Sequence, residues 1–400
     1  MIMPIIKDVS AREILDSRGN PTVEVKVKSE NFEAVASCPS GASVGKYESF
    51  EVRDMGVRYD GFGVRKAVYN VNKIISPNLV NHELDLKFID TLMCELDGTE
   101  NKSRLGVNSI LPVSMAFYRL KALELNKPLY SLLGNKKILP LLFMNLLNGG
   151  KHANNGVAFQ EYMVVPKYKS FEDSLRIGTE IYHALGREVN KKYKSYGVGD
   201  EGGYAPKLKT VEDGFILLSE VIDSLGYSKY VKLALDAAAS EFYFKNHYLV
   251  DGQKLSSLEL LDYYNRLIKN YKIISIEDPF EQDDFETFSL LKKVQVVGDD
   301  LTVSHIDRVK KALNHKSINC LLLKMNQVGT VTESLEVAKL AMKKIKVMVS
   351  HRSGETNDSF ISDLAVGLGC GMIKAGAPCR SERLSKYNRL SEMNLKRFGL

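Results

Sequence analysis

Four hundred residues, 44% of them apolar and 26% charged, can bury a large core without disulfides and read as an ordinary soluble globular protein. A net charge of +6 is small for this length, and lysines scattered as pairs (Lys136-Lys137, Lys191-Lys192, Lys343-Lys344) argue against a nucleic-acid track. Five cysteines without a CxxC pair argue against a zinc site and for buried free thiols in a reducing, cytoplasmic compartment; "MIMPIIKDVS" is no signal peptide, and no apolar run reaches membrane-span length.

In chain order, "TVEVKVK" places Val23, Val25 and Val27 on one face of a strand, and "FEAVASC" reads as a second strand. "PSGASVGKYES" follows as a loop with two glycines and three serines. From about residue 62 the period becomes helical in "VRKAVYNVNKII", "LKFIDTLMCEL" and "NSILPVSMAFYRLKALEL". Strands followed by helices predict a small α+β domain over residues 1–135.

Residues 136–400 have a different texture, with short apolar runs alternating with amphipathic stretches, as in βα units around a parallel sheet. "LLFMNLLNGG" and "FQEYMVVP" supply two strands. Six more end on polar residues: "KLALD" at Asp236, "IISIED" at Glu277 and Asp278, "VQVVGDD" at Asp299 and Asp300, "CLLLK" at Lys324, "VMVSHRS" at His351 and Arg352, and "MIKAG" at Lys374. "FYFKNHYLV" reads as a hairpin insert. Eight strands suit a TIM-like (β/α)8 barrel, with a doubly wound sheet as the alternative. In a barrel the carboxyl ends of the strands surround one mouth, where these polar ends would meet.

Asp236, Glu277 and Asp299 would then repel one another unless a cation joined them, and all-oxygen ligands point to Mg²⁺ or Mn²⁺. Separate N-caps of the following helices are the bland reading of each carboxylate. Lys324 and Lys374 flank the same place. A divalent ion and a second lysine would lower one ammonium enough to act as a base while the other stays charged. Glu161 and Glu201 would serve acid–base work from another side of the rim, with Gly residues around Glu201 allowing a tight turn. Arg352 and Ser353, with His351, suit a phosphate grip. His152 lies in a Gly/Asn-rich loop, where function is mildly favoured.

Taken together, "DSRGNPTVEV", "PSGAS", "LDGTENKSRLG", "NGGKHA", "QEYM", "GDEGG", "SIEDPFEQDD", "LLLKMNQVGT", "VMVSHRSGET" and "GAPCRSER" resemble the enolase family, the phosphopyruvate hydratases, from about residue 4 to about 390. The resemblance implies an enolase-type barrel with an N-terminal capping domain. It also implies Mg²⁺-dependent interconversion of 2-phospho-D-glycerate and phosphoenolpyruvate, with two ions per site during turnover. By position, Asp236, Glu277 and Asp299 match ligands of the first ion, and Ser43 matches the loop serine that binds the second. Lys324 matches the base at carbon 2, and Glu201, beside Glu161, matches the acid. Lys374 matches the cation on the carboxylate, Arg352 and Ser353 match phosphate contacts, and His152 and Gln160 line the site. A homodimer or larger homo-oligomer is implied, with no nucleic acid or membrane required.

The chain departs from the family pattern at Val44, where threonine is usual, at Phe285, often tryptophan, and in its short carboxyl end. A racemase or cycloisomerase of the wider superfamily would carry its lysine on the second barrel strand, where this chain has Gln160-Glu161. A non-catalytic scaffold would be marked by loss of Lys324, Glu201 or a metal carboxylate, and all are present.

Overall fold

In the computed structural model, which describes residues 3–41, 47–153, 155–195 and 197–397, the chain opens with an antiparallel sheet of β1 (Asp8–Leu15), β2 (Pro21–Lys28) and β3 (Glu33–Ser37) in the order β1-β2-β3. Val23, Val25 and Val27 are fully buried, as their alternation requires, and helix Val107–Glu124 packs on β2 and β3. The sequence reading missed β1. It is an edge strand paired only with β2, and most of its residues keep some contact with water, so no period of two marks it. Helix Leu86–Asp97 starts where Asp85 caps the Phe88 N–H, and ends at left-handed Gly98.

Eight strands then close into a barrel: β4 (Leu141–Asn148), β5 (Glu161–Pro166), β6 (Val231–Asp236), β10 (Ile273–Glu277), β11 (Gln295–Gly298), β12 (Cys320–Leu323), β13 (Lys346–Ser350) and β14 (Met372–Lys374). Between β6 and β10 the expected insert is a three-stranded meander, β7 (Tyr243–Phe244), β8 (His247–Val250) and β9 (Gln253–Leu255). Lys245 and Asn246 turn its first hairpin with positive φ at both positions.

The barrel is not wholly parallel, which corrects the expectation of βα units throughout. β5 runs antiparallel to both β4 and β6. Among its described residues the 149–160 connection holds only a short helical turn at Gly150–His152, and a parallel return needs a crossover of a dozen or more residues, usually a helix. The chain therefore doubles back. Two successive helices, Phe171–Tyr193 and Val211–Ser224, then return the chain to the start of β6. Their connection reaches the mouth, where Tyr204 exchanges backbone hydrogen bonds with Leu146 and Asn148 at the end of β4.

The N-terminal domain is fastened to the rim. Ser40 and Gly354 exchange backbone hydrogen bonds of 2.7 and 2.8 Å, Arg119 grips Asp358, and Asp90 accepts from the Thr332 N–H at the start of helix Val331–Met342. The thiols are all free, as expected; Cys38 and Cys320 are buried, whereas Cys94, Cys370 and Cys379 are partly exposed. Among the described residues, no helix is long and apolar enough to cross a membrane.

Candidate active site

Strand alternation decides which side chains enter the mouth. Cys320 and Leu322 belong to a small core inside the barrel with Met163, Ala234, Val297 and Met372, whereas Leu321 and Leu323 join the larger core beneath the helices. Two residues on from an inward position is inward again. Lys324 therefore follows Leu322, Lys374 follows Met372, Asp236 follows Ala234, and Asp299 follows Val297. Glu161 precedes Met163 by two, and because β5 is reversed its first residue is the one at the mouth.

All four, with Glu161, line one pocket together with His152, Gln160, Glu201, His351, Arg352 and Ser353. Glu277 lies beneath, hydrogen-bonded to Lys374 at 2.8 Å. Ser43 and Val44 fall outside the described residues. About 30 Å³ of open space remains in the pocket, room for a water or two.

Lys374 is the hub. Its Nζ lies 2.9 Å from Asp236, 2.8 Å from Glu277 and 3.1 Å from Glu161. Burial opposes its charge, but Asp236, Glu161 and Glu277 overcome burial and hold the proton well above the usual lysine range. Lys324 is paired with Asp299, which also accepts from Gln327 at 3.0 Å. Burial opposes charge on Lys324 too, yet Asp299 outweighs it and raises the lysine. The nearest charge to Lys324 is thus a carboxylate, while the cations Arg352 and Lys374 work in the opposite, lowering direction.

The three carboxylates singled out from the sequence share the mouth but do not form one cluster, because Lys374 stands between Asp236 and Glu277 while Asp299 turns to Lys324. The carboxylates that do converge, with oxygens within 4.8 Å, are Asp278, Asp299 and Asp300. Asp278 accepts the backbone N–H groups of Asp299 at 3.0 Å and Asp300 at 2.6 Å, fixing that strand end. Burial and then the charge of Asp299 push Asp300 up to about 8. Burial and then Asp236 push Glu277 well above the carboxylate range, and its Oε2 accepts no hydrogen bond. Crowded, buried, partly unsatisfied oxygens and no thiol fit a hard divalent cation.

The second group is His152, Glu161 and Glu201, again within 4.8 Å of one another. Gly202 at φ +84 and Gly199, where a Cβ would meet the His152 carbonyl at 2.5 Å, let the Glu201 turn press against the β4–β5 loop. Burial and the Glu201 charge raise Glu161 well above its usual range. Burial works the same way on Glu201, but His351 at 3.2 Å, His152 at 3.7 Å and the Lys374 ammonium together outweigh it and hold Glu201 low. The two carboxyls are thus pushed apart, Glu161 toward its neutral form and Glu201 toward its charged form. Gln160 Nε2 reaches Asp236 at 3.4 Å, and the Ser353 carbonyl is held by Arg383.

Sequence reasoning missed Glu48, Gln327 and Arg383. Glu48 forms a buried ion pair with Arg352 at 2.8 Å from 304 positions away. No local pattern marks it. Gln327 lay in a quoted motif, and its link to both Glu48 and Asp299 needs the fold. Arg383 could have been noticed as a basic residue on the apolar side of the last helix.

A family model described as the enolase C-terminal TIM barrel domain matches residues 136–396, and one described as the enolase N-terminal domain matches residues 6–133. Over 409 aligned residues the chain is 48% identical to an enolase of Methanocaldococcus jannaschii, spanning 98% of this chain and 97% of the relative. It is 51% identical to an enolase of Methanopyrus kandleri (97% and 95% covered) and 49% identical to one of Methanothrix thermoacetophila (96% and 94%).

Proposed function

Because the chain belongs to the enolase family, we propose that its barrel-mouth side chains divide that family's reaction among them. The reaction is the reversible dehydration of 2-phospho-D-glycerate to phosphoenolpyruvate and water, a hydro-lyase step of glycolysis and gluconeogenesis. Residues 1–135 form the cap and residues 136–400 the catalytic barrel in this reading.

A proton on the carbon next to a carboxylate is scarcely acidic, since its removal adds a second negative charge to that group. Lys324 takes it through Nζ, and Lys374, kept charged by three carboxylates, faces the substrate carboxylate. By the family match Asp236, Glu277 and Asp299 would hold one Mg²⁺, once Lys374 and Lys324 release their oxygens, and Ser43 would hold a second; such ions would supply positive charge against the carboxylate. Lys324 can accept a proton only as the neutral amine, so its pairing with Asp299, which favours the ammonium form, must loosen first. Arg352 and Ser353 grip the phosphate, with His351 alongside. The Glu161–Glu201 pair supplies the proton with which the carbon-3 hydroxyl leaves, and His152 and Gln160 close the wall around it.

The observation that carries this reading is the convergence of two buried lysines and the strand-end carboxylates on one mouth. No observation favours a non-catalytic scaffold. A homodimer or larger homo-oligomer in the cytoplasm is the expected setting, on the strength of the family resemblance. The test is absorbance of the product's conjugated double bond after adding 2-phosphoglycerate, with Mg²⁺ and then with a chelator. Rapid, chelator-sensitive product formation supports the reading. Silence from folded protein in excess Mg²⁺ overturns it.

A further inference from the structure

Arg383, in the first turn of the last helix (Ser381–Arg397), is fully buried although it carries a charge. Its Nη1 lies 2.7 Å from His351 Nδ1 and also donates to the Arg352 carbonyl at 2.5 Å. Its Nη2 donates to the Asp200 carbonyl at 3.0 Å and the Ser353 carbonyl at 2.6 Å. One guanidinium therefore ties together the residue before Glu201 and the backbone of the proposed phosphate grip. The packing is close: a Cβ on Gly376 would stand 2.9 Å from Arg383 Cδ and 3.0 Å from His351 Cε1.

A guanidinium has only donors and does not lose its proton in proteins. His351 Nδ1 must then present a lone pair to it, and the neutral ring carries its hydrogen on Nε2. That nitrogen lies 3.2 Å from Glu201 Oε2, its nearest acceptor, although its N–H is not aligned on that oxygen, and it has no other hydrogen bond among the described residues. We propose that Arg383 is a positioning residue that fixes His351 as the Nε2–H tautomer, making it a permanent donor to Glu201 rather than a proton carrier. Asn145 Nδ2 donates to the same oxygen at 3.1 Å. Oε2 is thereby engaged twice, and Oε1 is left as the oxygen that exchanges a proton with Glu161 or substrate. The charged groups facing His351 are Glu201, Glu355 and Arg383, and burial with this surrounding pushes the imidazole down to about 4.

The catalytic consequence rests on the reading of Glu201 as the acid; the tautomer does not. The first measurement is ¹⁵N NMR of histidine-labelled protein without added metal, with the His351 signals identified by their loss in His351→Gln. The expected result is a pyridine-like Nδ1 and pyrrole-like Nε2, unchanged between about pH 5 and pH 9. A pyrrole-like Nδ1, or titration in that range, overturns the proposal, and this readout needs no variant of Arg383 to fold. In Arg383→Met, His351 should begin to titrate and kcat should fall at least about tenfold below the new midpoint, with Arg383→Lys restoring part of both. A Met variant with the native histidine signature overturns the assignment of Arg383. Normal turnover in Glu201→Gln would overturn the acid reading while leaving the tautomer assignment standing.

Discussion

If Arg352 grips the substrate phosphate as proposed, Glu48 stands on the guanidinium that the phosphate would need. Its carboxylate meets both Nη atoms of Arg352 at 2.8 and 3.3 Å, with each side chain only 4% exposed, and about 30 Å³ of open space surrounds the pair. A phosphate that grips Arg352 must displace a side chain from the guanidinium. Glu48 is the one a phosphate replaces like for like, anion for anion on the same guanidinium. In Glu48→Gln the amide oxygen still accepts from Arg352, so the change is one charge-assisted hydrogen bond exchanged for a neutral one. Such bonds differ by about 1 kcal/mol net, so phosphate should bind roughly five times more tightly to the variant. Stability should fall modestly, because Arg352 keeps its 3.1 Å bond to Asn326. The chain has no tryptophan, so calorimetric titration with inorganic phosphate is the suitable assay. Unchanged or weaker phosphate binding in a folded Glu48→Gln protein would refute the competition and make Glu48 a support for Arg352.

Lys324→Ala should retain the fold and Mg²⁺ binding but slow exchange of the carbon-2 proton with solvent by roughly 10²–10⁴-fold, and native exchange in that variant removes Lys324 from the base role. Asp299→Asn should move the Mg²⁺ dependence of turnover to higher concentration and lower activity with it; an unchanged metal titration would shift the ligand to Asp300. Asp90, buried against Thr332 at the domain junction, is raised by burial from 3.8 to about 6. A raised acid stabilises the fold fully below its ordinary value, and that contribution is lost as pH rises through about 6, a difference of about 3 kcal/mol. Asp90→Asn should therefore flatten the fall in urea midpoint between about pH 4 and pH 7, and a slope equal to the parent's would show that Asp90 is not the group responsible.

Six of the eight barrel strands were legible because an apolar run gives way to a polar or charged residue at the carboxyl end, and alternation then carries such residues inward. Lys324 after Leu322 and Lys374 after Met372 are the clearest cases. The state of those charges was not legible. Whether Lys324 holds its proton turns on Asp299, 25 positions earlier, and whether Glu201 is charged turns on His351, 150 positions later. Spacing along the chain says nothing of such distances. The same holds for Glu48 and Arg383, ordinary charged residues until the fold sets one on Arg352 and the other on His351.

Strand direction was also invisible, and here the loss has a chemical consequence. A period of two reads the same from either end, so "FQEYMVVP" predicts a strand without saying which end faces the mouth. Had β5 run parallel, Val165 and Pro166 would stand at the mouth and Glu161 at the closed end among Met163 and its neighbours. Lys374 would then lose one of its three carboxylates, and Glu201 its neighbouring carboxyl. What prevents this is the connection 149–160, which among its described residues lacks a crossover helix and can only turn the chain back. The acid–base pair therefore depends on what the loop before Glu161 omits as much as on the carboxylate itself.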